Sequence, residues 1–144
     1  MHDVLQEVWN GPLPPLAPRS KGTPPPDPFG VLQRADAAVL VLVPVNRPAD
    51  VASVLGIAAS TEISDVQATA VLRSWETRFG ALVTKIGPGE VGLSVGSPPT
   101  SADQALRLAN EQMAFAPDQT APDETAAVAR ELPTRDFWRF GWPD

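Results

Sequence analysis

Apolar positions recur at helical spacing between Ala68 and Phe79, and start and stop signals bound that stretch. Ala68, Val71, Leu72, Trp75 and Phe79 share one face, which leaves Arg73, Glu76 and Arg78 towards solvent. Ser64-Asp65-Val66-Gln67 ahead of them reads as a capping box, in which Ser64 and Gln67 satisfy each other's orphan backbone donors. Gly80 closes the predicted helix. The pattern then switches to period two over Ala81 to Gly87 and Glu90 to Val95, with Gly87-Pro88-Gly89 as the turn of a hairpin. Val91, Leu93 and Val95 fall on one face of the second strand.

The flanks continue this reading. Ala37 to Val45 is a continuous apolar, β-branched run, the pattern of a central strand covered on both faces. Asn46 and Arg47-Pro48 start a short helix whose buried side is Val51, Val54 and Leu55, and Gly56 ends it. Ile57 to Ile63 is a loop. Ser101 to Phe115 forms a third helix, capped by Ser101 and Gln104, with a narrow stripe of Ala102, Ala105, Leu106, Ala109 and Met113. A fourth runs from Pro122 to Leu132, before Pro133. Phe137 to Trp142 alternates like an antiparallel strand, with Trp138, Phe140 and Trp142 together. The order strand, helix, helix, strand, strand, helix, helix, strand predicts an α+β fold. Its sheet is small, four-stranded and mostly antiparallel, with helices packed on one face, a split βαβ, ferredoxin-like arrangement.

Ahead of that unit, His2 to Asn10 reads as a short helix, with Val4, Leu5, Val8 and Trp9 as its stripe. Pro12 to Pro28 is polyproline-type chain, because each proline lacks the backbone donor and restricts the residue before it. An arm lying on the protein's own surface, anchored by Leu13, Leu16 and Phe29, explains it more simply than a ligand for an aromatic groove. The division is therefore a short helix and Pro-rich arm over residues 1–36 and one α+β domain over 37–144.

Charge narrows the partners. The formal net charge is -6 and the sequence pI about 4.7, a field that repels phosphate backbones and anionic lipid and suits a basic protein. Neither nucleic acid nor a membrane is expected as a partner, and a cytoplasmic location is. The chain contains neither Cys nor Tyr, and its single histidine is His2. A histidine-based triad and a thiolate metal site are thereby removed, and no phosphate-loop spacing occurs. No catalytic residue, metal or cofactor is assigned.

Two clusters remain. Glu111, Asp118, Asp123 and Glu124 lie around the turn between the last two helices, where they can line a pocket or serve as turn and first-turn acids. Trp138 and Trp142, beside Arg135 and Arg139, have the anchor composition of protein interfaces, although cover by the arm accounts for them equally well.

Several separated blocks carry a family resemblance. Val71-Leu72-Arg73-Ser74-Trp75-Glu76-Thr77-Arg78-Phe79-Gly80-Ala81 is followed by Leu93-Ser94-Val95, Pro98-Pro99, Ala105-Leu106 and Ala109-Asn110-Glu111-Gln112. Phe115-Ala116-Pro117-Asp118 and Phe137 to Asp144 complete the set. Together they resemble the bacterial family called domain of unknown function 4253, over roughly Val41 to the C-terminus. The resemblance implies no activity. It would place a cysteine where Ala116 stands, and an uninterrupted terminal aromatic pair before Asp where Gly141 and Pro143 intervene.

These readings point to a non-catalytic, acidic protein-interaction module, with an immunity or antitoxin-like protein that masks a basic toxin as its particular form. Glu111, Asp118, Asp123, Glu124, Arg139, Trp138 and Trp142 are its expected partner-binding residues. The alternative is a small-ligand binder or enzyme with a carboxylate-lined pocket around Glu111 and Asp118. A homodimer through a strand edge or the aromatic end is a third reading.

Overall fold

Helix α2, Asp65–Phe79, is set by its caps: Ser64 Oγ accepts from the Gln67 backbone N–H, the Gln67 side chain accepts from the Ser64 N–H, and Gly80 ends it in the left-handed region at φ 58°. The computed structural model describes residues 3, 5, 15–20, 39–57, 63–119 and 121–142. Of the predicted N-terminal helix only Asp3 and Leu5 are described, both helical; Leu13 and Phe29 lie outside the described residues.

Strands β1 (Ala81–Gly87) and β2 (Glu90–Val95) form the expected hairpin, with Gly89 at φ 59° in the turn. Strand β3 (Phe137–Gly141) pairs antiparallel with β2, aligning Leu93 with Trp138 and Val91 with Phe140. Among the described residues the sheet is three-stranded, in the order β1-β2-β3. A ferredoxin-like split βαβ requires another strand between β2 and β3. Those two hydrogen-bond directly, so that position is taken.

The predicted first strand is corrected. Residues 39–45 have no strand pairing, and Val39, Leu40, Val41 and Leu42 are 72%, 81%, 58% and 92% exposed. Among the described residues Val39 to Leu42 are covered on neither face, and Val43 and Val45 are half-buried. A 3-10 turn, Pro48–Asp50, and helix α1, Val51–Leu55, follow, but their buried residues are Ala49 and Ala52. Val54 and Leu55 are exposed, because the segment is fastened to α2 largely by polar contacts. Arg47 Nε donates to Glu76 Oε1 at 3.1 Å, the Ala49 N–H donates to Glu76 Oε2 at 3.2 Å, and Arg73 Nε donates to Asp50 Oδ1 at 2.6 Å.

Helices α3 (Ala102–Phe115) and α4 (Thr125–Glu131) pack on each other, and 3-10 turns at Pro117–Gln119, Pro122–Glu124 and Leu132–Thr134 connect the C-terminal elements. The α3 stripe is met at Ala105, Ala109 and Met113, which are buried, and differs elsewhere. Ala102 and Leu106 face solvent, whereas Gln104, Leu108, Glu111 and Phe115 are buried. One apolar layer joins α2 and α3 to the sheet face carrying Trp138, Phe140 and Trp142. Trp75 stacks on Phe140 at 5.2 Å, while Phe115 meets Phe140 and Trp142 edge-on at 5.2 and 5.1 Å. Each such pair adds roughly 0.5–1.5 kcal/mol beyond the area it buries.

Candidate functional site

Glu111 sits on α3 at helical spacing from Leu108 and Phe115, so its backbone position carries it into the apolar layer at 1% exposure. A carboxylate can remain there only if its oxygens are satisfied. Oε1 accepts from the Ala17 N–H at 2.5 Å and from Arg78 Nη1 at 2.9 Å; Oε2 accepts from Trp75 Nε1 at 2.8 Å and from Arg78 Nη2 at 2.6 Å. Four donors fill the four acceptor positions of the carboxylate. Glu111 is thus an internal anchor and not a pocket acid, and Arg78, expected at the surface, is its partner.

What that anchor holds is the chain's own arm. Arg78 Nη1 also donates to the Ala17 carbonyl at 2.7 Å, so Ala17 is gripped through both of its main-chain groups. Gln104 Nε2 donates to the Pro18 carbonyl at 2.6 Å, the Ser20 N–H donates to the Arg78 carbonyl at 3.0 Å, and Ser20 Oγ donates to the Pro98 carbonyl at 2.9 Å. Ala17 and Ser20 are buried, Leu16 packs against the core, and Arg19 points outward. Most of the grip falls on main-chain atoms, which explains how a segment as plain as Leu-Ala-Pro-Arg-Ser is held.

The other predicted site residues scatter. Asp118, Asp123 and Glu124 are exposed on the turns after α3 and form no ion pair among the described residues. Glu111 and Asp118 therefore do not share a carboxylate-lined pocket. Trp138 and Trp142 are 3% and 5% exposed within the aromatic layer, so neither is a surface anchor. Trp142 Nε1 donates to the Phe115 carbonyl at 3.3 Å. Arg139 is exposed and donates through Nε to Glu90 Oε2 at 2.6 Å. Glu90 also takes Lys85 Nζ at 2.9 Å; that hydrogen bond first, and Arg139 with it, holds the Glu90 carboxyl below its ordinary range against the opposing effect of burial.

Between α3, α4 and β3 lies a recess of about 50 Å³. Gln112, Ala116 and Trp138 line it, with Arg135 and Arg139 also contributing. No carboxylate lines it. The sequence left Trp138 open between an interface anchor and a residue covered by the chain itself; the pairing of β3 with β2 shows that the indole faces inward.

The fold and its contents define an α+β domain with a saturated arm anchor and a small recess bordered by Arg135 and Arg139. The chain belongs to the family described as domain of unknown function (DUF4253), whose model matches residues 39–143. The anchoring residues Trp75, Arg78, Gln104 and Glu111 lie inside the matched region, whereas the arm they grip lies outside it. No curated protein matches the chain, and no solved structure does.

Proposed function

We propose that this protein is a non-catalytic interaction module that binds a basic protein partner. The observation that carries this reading is the run Val39 to Leu42, four consecutive apolar residues of which the least exposed is 58% accessible. Contiguous exposed apolar surface of this kind marks an association site. Asp118, Asp123 and Glu124, exposed and without an ion pair among the described residues, together with a net charge of -6, set the sign of the partner. An immunity or antitoxin-like protein that masks a basic toxin in the cytoplasm is the particular form we favour.

The same run supports a fourth strand in the bound form. The turn that follows it, Pro48–Asp50, packs against β1, and β1 pairs with β2 alone among the described residues. Addition of Val39 to Val45 at the outer edge of β1 would complete a four-stranded sheet and leave the observed β2–β3 pairing intact.

Affinity capture with the full chain in its native host, followed by growth rescue against any toxin encoded beside it, tests the reading. A basic protein should be retained by the wild type and lost from Leu40→Ser/Leu42→Ser and from Asp118→Asn/Asp123→Asn/Glu124→Gln. Retention unaffected by either variant, or no partner at all, would overturn it.

A further inference from the structure

Residues 16–20 lie on α2 and α3 as a peptide lies on a receptor, because the seat answers their main chain group by group. Glu111 Oε1 accepts the Ala17 N–H, Arg78 Nη1 donates to the Ala17 carbonyl, Gln104 Nε2 donates to the Pro18 carbonyl, and the Arg78 carbonyl accepts the Ser20 N–H. Pro18 has no N–H, so its place needs no acceptor. The seat's side chains are oriented from within the domain. The Thr100 N–H holds Gln104 Oε1 at 2.7 Å, which turns the amide's donors to the strap, while Trp75 and Arg78 fix the Glu111 carboxylate.

Contacts to main chain accept any segment that presents the same groups, and burial sets the sequence allowed. Leu16 packs against the core, Ala17 is 1% exposed and admits little beyond a methyl, and Pro18 and Arg19 are exposed. The buried Ser20 hydroxyl donates to the Pro98 carbonyl and accepts from Gln104 Nε2 at 3.1 Å. Proline keeps the residue before it extended, which lowers the cost of ordering the segment.

The strap is also separable from the core. Its fully buried side chains, Ala17 and Ser20, are small, so little apolar area holds it down. Leu5 is buried in the core on its own account, so residues 16–20 can leave the seat without uncovering that position. The connection to the domain starts and ends beside one turn of α2, with the Ser20 N–H on the Arg78 carbonyl and Arg47 Nη2 on Thr77 Oγ1 at 3.0 Å. A segment tethered in this way competes for its seat at an effective concentration on the order of mM.

We propose that this seat is a recognition site for an extended segment of a partner protein with the pattern apolar, small, Pro, any residue, Ser, and that Leu16 to Ser20 fills it in cis as a tethered competitor. The site is separate from the Val39 to Leu42 surface, and its test uses only the purified full chain and a synthetic peptide.

The peptide spans Pro14 to Lys21 with both ends blocked, and the readout is the Trp75 indole N–H signal of the ¹⁵N-labelled chain, because that N–H rests on Glu111. Ala17→Asp/Ser20→Ala in the full chain sets a carboxylate against Glu111 and removes the hydroxyl, which opens the seat. The peptide should shift the Trp75 signal saturably in this variant and bind the wild type at least tenfold more weakly, since the strap competes there. Peptides carrying Ala17→Leu or Ser20→Ala should bind roughly tenfold more weakly than the parent, and one carrying Arg19→Glu should bind equally well. Hydrogen exchange on the wild type adds a test that needs no variant: the Ala17 N–H should exchange faster than that of Leu72, through local opening of the strap. Exchange of Ala17 only at the rate of global unfolding, or a variant that does not fold, overturns the proposal and makes the strap an integral part of the fold. A folded variant whose Trp75 signal ignores the peptide overturns it as well, as does equal binding by variant and wild type. Dimerisation on raising the concentration, with no response to free peptide, assigns the seat to the strap of a second copy instead.

Discussion

Trp75 donates its indole N–H to Glu111 Oε2 at 2.8 Å with both side chains sealed from solvent, and this bond ties the aromatic layer to the polar cluster that grips the arm. Packing and polar satisfaction are thus not separable here. The ring that stacks on Phe140 is also one of the four donors that keep a buried carboxylate tolerable.

Loss of Glu111 would take the counter-charge from the largely buried Arg78 guanidinium and the acceptor from the Ala17 and Trp75 N–H groups. Glu111→Ala should lower the unfolding free energy by ~3–5 kcal/mol, measured by chemical denaturation. Glu111→Leu combined with Arg78→Met should recover most of that loss, because both charges leave together. The single variant also frees the Ala17 N–H, so trypsin should cut after Arg19 faster than in the wild type.

Gly92 marks a close approach. A Cβ there would lie 2.6 Å from Phe137 Cζ and 3.0 Å from Lys85 Cβ, since the Phe137 ring lies across the strand. Gly92→Ala should cost ~1–3 kcal/mol by overpacking. Adding Phe137→Leu should cost less than the sum of the two single changes, and thermal melts of the three variants measure this coupling.

Acid should weaken the fold through Glu90 and Asp50. The hydrogen bond from Lys85, with Arg139 beside it, depresses the Glu90 pKa below its ordinary 4.5, and the hydrogen bond from Arg73 depresses that of Asp50 below 3.8. A depressed carboxyl stabilises the fold above its unfolded value and loses that contribution as pH falls through the folded one. Stability should therefore decline below about pH 4.5, and Glu90→Gln should flatten that acid limb in denaturation curves taken across pH.

Leu40 and Leu42 make no core contact that their exposure of 81% and 92% would allow to matter. Leu40→Ser/Leu42→Ser should leave the melting transition within about 0.5 kcal/mol of the wild type. Binding of a hydrophobic dye and any self-association seen by light scattering should both fall.

Much of the fold was legible where local signals agree with one another. Ser64, Gln67 and Gly80 carry the ends of α2 in their own side chains or lack of one; Gly87-Pro88-Gly89 sets the hairpin; the alternation of Trp138, Phe140 and Trp142 puts the three on one face. These depend on neighbours a few residues apart. Val39 to Val45 misled for the same reason, because an apolar run states a preference for burial but not whether another element arrives to cover it.

The polar interior was hidden for a different cause. Glu111 looked like a turn-adjacent surface acid, although its spacing from Leu108 and Phe115 placed it on the apolar face, and a charge there requires a partner. That partner, Arg78, is 33 residues away in sequence, and the Ala17 backbone is 94 away. Local patterns by themselves determined α2 with its caps and inward face, the β1–β2 hairpin, and the grouping of Trp138, Phe140 and Trp142 on one face. Strand order, the inward direction of Trp138 and the grip on the arm were decided only by tertiary structure. Hydrogen bonds and burial join residues that no short-range pattern relates, and their balance is struck only when the chain closes on itself.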